Sequence, residues 1–272
     1  MNATPPLAVP AVDLAALTDV GTEREHNEDA CGTLFEGGAA VVVVADGVSS
    51  SPGGEVASQM AVEVLLRAFR EEPPGRPAGQ RLYRAVQQAN IEVYDRAIAV
   101  PELHGMATTL TALAVEAGTL TAVHVGDSRL YLVREGRAVQ LTKDHTVAAE
   151  RVRLGLLSAE KVRFHPDRSV LTRSVGRELI VNRDRLSQAL RPGDLLVACS
   201  DGLHGVLSEE EIAALSVSAK DAEAACRALV ERANSRRTAD NLTAAVVRMS
   251  GPGVEVPQGS GWTSRLHRLL KR

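Results

Sequence analysis

The apolar positions of this chain fall into stretches of two periods. Ala39-Ala40-Val41-Val42-Val43-Val44-Ala45 is continuous and β-branched at its centre, and it stops at Asp46-Gly47. Such a run predicts a strand buried on both faces, preceded over 12–38 by shorter β-like runs. Ser51-Pro52 has the form of an N-cap with proline at the first helical position. A helix is therefore predicted from there to about Arg70, with Val56, Met60, Val64 and Leu65 on one face. Glu71-Glu72-Pro73-Pro74-Gly75 breaks it. A second helix is predicted from about Gln80 to Ala99, with Leu82, Val86, Ala89, Val93 and Ile98 apolar. Residues 106–142 read as a meander of three or more strands, punctuated at Glu116-Ala117-Gly118, Gly126-Asp127-Ser128 and Glu135-Gly136. Residues 145–170 are polar and weakly helical. Leu195-Leu196-Val197-Ala198-Cys199 predicts another buried strand, followed by helices near 208–215 and 219–233 and a last strand over Leu242–Val247. Strands, two helices, many strands, two helices and one strand make an α+β order rather than alternating βαβ units. The meander implies antiparallel sheets whose outer faces the helices cover.

The ends differ in character. Residues 1–11 hold three prolines and read as a loose tail; 251–260 are rich in Gly and Pro; Trp262–Arg272 is short, basic and amphipathic, suited to an acidic partner or a membrane surface. The boundaries predicted are a tail at 1–11, a catalytic domain at 12–249 and a linker with basic tail at 250–272.

Composition narrows the function. Hydrophobic residues make up 44% of the 272, so a large core is available without staples. With 31 basic and 34 acidic residues the net charge is −3, which gives no electrostatic case for a nucleic-acid partner. Cys31, Cys199 and Cys226 are odd in number and far apart, unlike a disulfide framework or a zinc site, and a cytoplasmic setting is expected. No run approaches the roughly 18 apolar residues of a spanning helix, and Met1–Pro10 lacks the pattern of a signal peptide.

The chemistry lies in aspartates at the ends of apolar runs. Asp46, Asp127 and Asp201 each follow one, and Asp240 precedes one. A lone Asp-Gly is commonly only a turn. Four such carboxylates brought to one sheet edge would raise one another's pKa unless cations neutralise them. Oxygen donors completed by water suit Mg2+ or Mn2+ rather than zinc or copper. Two such cations about 3.5–4 Å apart can activate water and clamp a phosphoryl group.

Eight segments then occur in a telling order: Arg24-Glu25-His26-Asn27-Glu28-Asp29; Asp46-Gly47 running to Gly54-Glu55; Met106-Ala107-Thr108-Thr109-Leu110; Gly126-Asp127-Ser128-Arg129; Leu141 to Thr146; Leu171 to Gly176; Ser200-Asp201-Gly202-Leu203; and Asp240-Asn241-Leu242-Thr243. Over roughly 12–249 this series resembles the type 2C metal-dependent serine/threonine protein phosphatases in their bacterial, single-domain form. The resemblance implies a four-layer αββα sandwich of two antiparallel sheets flanked by helices. It implies two Mn2+ or Mg2+ ions. Asp46 would bridge both, Glu28 and the Gly47 carbonyl would complete one site, and Asp201 and Asp240 would hold the other. Asp127 would belong to a third, weaker site, and Asp29 would act through water or behind the ligands. Arg24 would grip the phosphate; without the motif, a surface salt bridge to Glu25 or Glu28 would be the plainer reading. Residues 145–170 would form a flap where protein substrates are told apart. The implied partners are phosphorylated proteins and a Ser/Thr kinase that the enzyme opposes.

Two departures stand out. Ser49-Ser50 replace the family's Gly-Gly, and Ser51 occupies the place of a histidine proposed to protonate the leaving oxygen. Serine is no general acid near neutral pH. His26, His104, His145 and His204 also lie near motifs and are read as structural or solvent-exposed. Three functions remain open at this point: an active phosphatase, a phosphoprotein-binding regulatory module without turnover, and another metal-dependent hydrolase such as a nuclease, which the charge balance disfavours.

Overall fold

A computed structural model describes residues 12–73 and 75–250. The tails expected at 1–11 and 251–272 lie outside these residues. The chain builds ten strands and six helices within them. One sheet holds β1 (Val12–Asp19), β10 (Leu242–Met249), β9 (Leu195–Cys199), β6 (Arg129–Arg134) and β7 (Arg137–Gln140), in that order. The other holds β2 (Asp29–Glu36), β3 (Ala39–Asp46), β4 (Leu110–Glu116), β5 (Thr119–Val125) and β8 (Asp184–Ala189). Every pairing is antiparallel.

The period-2 alternation of side chains along a strand sorts the core into three parts. On β3, Ala39, Val41, Val43 and Ala45 pack under α1 (Gly54–Glu71) and α2 (Ala78–Ala99). Ala40, Val42 and Val44 face the other sheet, against Leu130, Leu196, Ala198 and Val247. Leu195, Val197 and Cys199 of β9 and Leu242, Ala244 and Val246 of β10 pack outward on α5 (Glu209–Ser218) and α6 (Ala222–Asn234). Three cores between four layers make the αββα sandwich. The apolar run 39–45 is buried on both faces because helices cover one side of its sheet and a second sheet the other.

The first helix begins later than Ser51-Pro52 suggests. Its N-cap is Gly53, in the left-handed region at φ 71° and without a side-chain cap. The start is set by tertiary contact: a Cβ on Gly47 would lie 2.4 Å from the backbone of Gly54, so the first turn can dock there only where residue 47 is glycine. Val56 and Ile98 are exposed rather than on the buried faces. Ser49 and Ser50 keep negative φ, so replacing glycine there costs no backbone strain. Strand β8 was not legible in the sequence: its alternating, half-exposed side chains sit at a sheet edge. Residues 145–170 contain α3 (Val147–Arg153) and a 3-10 turn over Ala159–Phe164; the single turn α4 (Asp201–His204) follows β9.

Candidate active site

Topology gathers the acidic groups. Because β2 and β3 are antiparallel, the start of one faces the end of the other, and Asp29 pairs with Asp46. Strand β5 runs parallel to β3, two places along the sheet, so Asp127 leaves at the same edge. In the second sheet the end of β9 and the start of β10 coincide, which brings Asp201 beside Asp240. The two edges are joined directly: Oδ2 of Asp29, from one sheet, accepts hydrogen bonds of 2.7 Å from Ser200 Oγ and from Thr243 Oγ1 of the other.

The electrostatics of this edge follow from burial of like charges. Asp46 is held well above the usual carboxylate range by desolvation, then by Asp29, Asp201, Asp127 and Asp240. Burial, reinforced by Asp201 and Asp144, also raises Asp127. Asp201 is pushed up to about 6 by burial and by Asp240, against a hydrogen bond shared with Asp46. Burial raises Asp29 to about 7 despite its bonds from Ser200 and Thr243. Folding therefore favours the protonated form of Asp29. Its contribution is most favourable below pH about 4, the ordinary carboxyl range, and is lost as pH rises to about 7. Thermal unfolding of cation-free protein should show wild type losing stability relative to Asp29→Asn across that window, with Mn2+ restoring it. Parallel pH profiles of the two proteins would remove this account of Asp29.

Around the acids the motif residues act as braces. Thr109 Oγ1 accepts from Asp46 N at 3.0 Å and meets Ser128 Oγ at 2.7 Å, while Thr108 Oγ1 donates to Asp46 O at 2.9 Å. Gly126 N donates to His145 Nδ1 at 3.1 Å, and His145 N donates back to Gly126 O at 2.7 Å. Arg129 makes a forked pair with Asp144, and Arg173 joins Asp184 at 2.8 Å. Burial, then the neighbouring Arg173, lowers the pKa of His145; His204 falls to about 3 through burial and Arg129. His204 Nε2 bonds to Asp127 O at 3.0 Å. These two histidines are neutral struts, and His26 and His104 are exposed.

Arg24 is paired with neither Glu25 nor Glu28. Its Nη2 lies 2.9 Å from Asp240 Oδ1 and its Nε donates to Ala239 O at 3.1 Å, with both side chains about one-third exposed. Arg24 thus stands at the rim of the acidic edge. The Glu28 carboxylate rests over Gly54, where a Cβ would come within 2.8 Å of its Oε1, and Glu28 O accepts from Gly47 N at 3.0 Å. The structure thus brings Arg24, Glu28, Asp46, Gly47, Asp127, Asp201 and Asp240 to one edge. Sequence reasoning left Ser200, Thr243, Thr109 and Asn241 without roles, although each stands inside a motif.

The donor set fits hard divalent cations: carboxylates and a carbonyl on a glycine-lined edge, charged groups that burial penalises unless a cation joins them. Among the described residues, no three His, Cys, Asp or Glu side chains form a ready cation shell by themselves.

Residues 21–247 match the model of the family described as protein phosphatase 2C. A putative protein phosphatase 2C-type of Streptococcus pyogenes is 32% identical over 241 residues, covering 88% of this chain and 98% of its own. The serine/threonine phosphatase stp of Listeria monocytogenes is 34% identical, covering 85% and 93%. Among solved structures, the catalytic domain of the serine/threonine protein phosphatase PstP in complex with two manganese ions superposes with a TM-score of 0.77 at 32% identity, covering 88% of this chain and 99% of that one.

Proposed function

The chain belongs to the protein phosphatase 2C family, and on that premise we propose that it hydrolyses phosphoserine and phosphothreonine in proteins at the joint edge of its two sheets. The observation that carries the reading is Asp46, set among Asp29, Asp127, Asp201 and Asp240 with Arg24 at their rim. Asp46, Glu28 and the Gly47 carbonyl would hold one Mn2+ or Mg2+. Asp46, Asp201 and Asp240 would hold the other, and Asp127 would serve a third, weaker site. Bound there, the two ions supply a water acidic enough to attack at neutral pH and positive charge for the phosphoryl oxygens. Asp29, bonded to Ser200 and Thr243, keeps the two sheet edges in register. Arg24 offers a planar fork for two phosphate oxygens, which orients the ester. Residues 145–170, tied to Gly126 through His145, would be the flap that sorts substrates.

The implied setting is the reversal of a Ser/Thr kinase in the cytoplasm. Among the described residues no helix is long and apolar enough to cross a membrane. Ser51 in the histidine's place is the one feature that favours a binding module instead. The test is phosphate release from phosphoserine and phosphothreonine peptides by the purified chain, with and without Mn2+. Mn2+-dependent release, with KM raised about tenfold or more in Arg24→Ala, is expected, since one charge-assisted contact is lost. Binding of the phosphopeptides without release would establish the module.

A further inference from the structure

Two buried asparagines of this chain are used in the same way. The Asn241 side chain is 3% exposed and all its bonds go to the backbone of a single loop. Its Nδ2 donates to Val20 O and His26 O, both at 2.9 Å, and its Oδ1 accepts from Glu28 N at 2.9 Å. The loop between β1 and β2, which carries Arg24 and Glu28, is thereby gripped on both sides of Arg24 and at Glu28 itself. The backbone N of Asn241 donates to Asp240 Oδ1 at 3.0 Å, the same oxygen that Arg24 holds. Its carbonyl is seated against Gly202, where a Cβ would come within 2.1 Å of that oxygen. One residue therefore sets the relative positions of Glu28, Arg24, Asp240 and the turn that begins at Asp201.

Asn90, on α2, makes an equivalent clasp elsewhere. It is fully buried; Nδ2 donates to Glu178 O at 2.8 Å and Leu179 O at 3.0 Å, and Oδ1 accepts from Gly176 N at 3.0 Å. None of these groups belongs to the acidic edge.

We infer that Asn241 is a positioning residue of the phosphatase site, coupling the loop that carries Arg24 and Glu28 to Asp240. The inference rests on the site assignment proposed above. It differs from a purely structural role in a measurable way, because Asn90 supplies the matched loss of three buried amide bonds. Partners behind metal ligands typically cost about 10–100-fold in affinity or activity when removed.

The experiment is Mn2+ titration by calorimetry with thermal unfolding on wild type, Asn241→Ala and Asn90→Ala of the full chain. Asn241→Ala should weaken Mn2+ binding about 10-fold or more. Asn90→Ala should lose thermal stability to a similar extent and bind Mn2+ as wild type does. Asn241→Asp is the second variant, isosteric and able to accept from Glu28 N but not to donate to Val20 O or His26 O. It frees the Arg24 side of the loop, so KM for p-nitrophenyl phosphate should rise about tenfold, the size of one charge-assisted bond, with no loss of Mn2+ affinity. Equal Mn2+ affinity in Asn241→Ala and wild type overturns the inference. So does an equal loss of affinity in Asn90→Ala, or an Asn241→Asp protein with unchanged KM. Wild-type protein that binds no Mn2+ would instead sink the site assignment, and this inference with it.

Discussion

Asp46→Asn is expected to lower Mn2+-dependent turnover by at least about 10²-fold, the scale seen when one preorganised electrostatic group is removed from a catalytic site. Asp46 is the only carboxylate of the edge that the proposed assignment gives to both cations, and its amide replacement keeps the shape while removing the charge. The variant should also unfold at a higher temperature than wild type when both are cation-free near pH 8. Wild type there pays for an anion that burial and then Asp29, Asp201, Asp127 and Asp240 all oppose. The sign follows from the raised pKa: the advantage of the variant disappears near pH 3, below the ordinary carboxyl range, where the wild-type carboxyl is largely protonated folded or unfolded. Calorimetric scans at the two pH values, with kinetics in excess Mn2+, read both effects. Wild-type turnover in the variant would remove Asp46 from the centre of the site.

The second large effect concerns position 51. In phosphoryl transfer the leaving oxygen gains negative charge as its bond to phosphorus breaks. A nitrophenolate carries that charge unaided, whereas a serine alkoxide needs a proton. Ser51 lies half-buried on the turn after Gly47, its N–H donating to Val48 O at 2.9 Å, and cannot supply one. The other histidines near the motifs do not replace it: His145 is buried and His204 half-buried, desolvation lowers the pKa of both, and His26 and His104 are exposed. General-acid help is typically worth about 10²–10⁴-fold. Wild type is therefore expected to favour aryl phosphates over phosphoserine peptides, and Ser51→His to narrow that gap chiefly by raising kcat on the peptide. The comparison needs kcat for both substrates in both proteins. If wild-type kcat is independent of leaving-group pKa, proton transfer is not limiting or another group supplies it, and the account of position 51 fails.

Much of this was written into local sequence. The run Ala39–Ala45, β-branched at its centre, suits a strand with both faces covered, since seven consecutive apolar residues leave no polar face for water. The eight ordered motifs named the acids at the strand ends, because a metal site on strand termini needs carboxylates at fixed places in the chain. Other features lay beyond local pattern. The first helix starts at Gly54 rather than at Ser51-Pro52 because Gly47 and Gly54 meet across the site, a contact between segments that no cap signal reports. Strand β8 escaped notice because an edge strand with alternating half-exposed residues has almost no hydrophobic signature. The partner of Arg24 is Asp240, 216 positions away along the chain, and only the pairing of β1 with β10 brings them together. The same holds for Asn241, which reads in the sequence as one polar residue before a strand. Its three bonds to the loop after β1 exist only once β1 and β10 lie side by side. The sequence by itself determined which groups carry the charge and the oxygen donors on which the proposed chemistry rests, because charge and donor type are properties of single residues. Their distances, protonation and mutual support were decided by tertiary structure, because these depend on burial and on neighbours far apart in the chain.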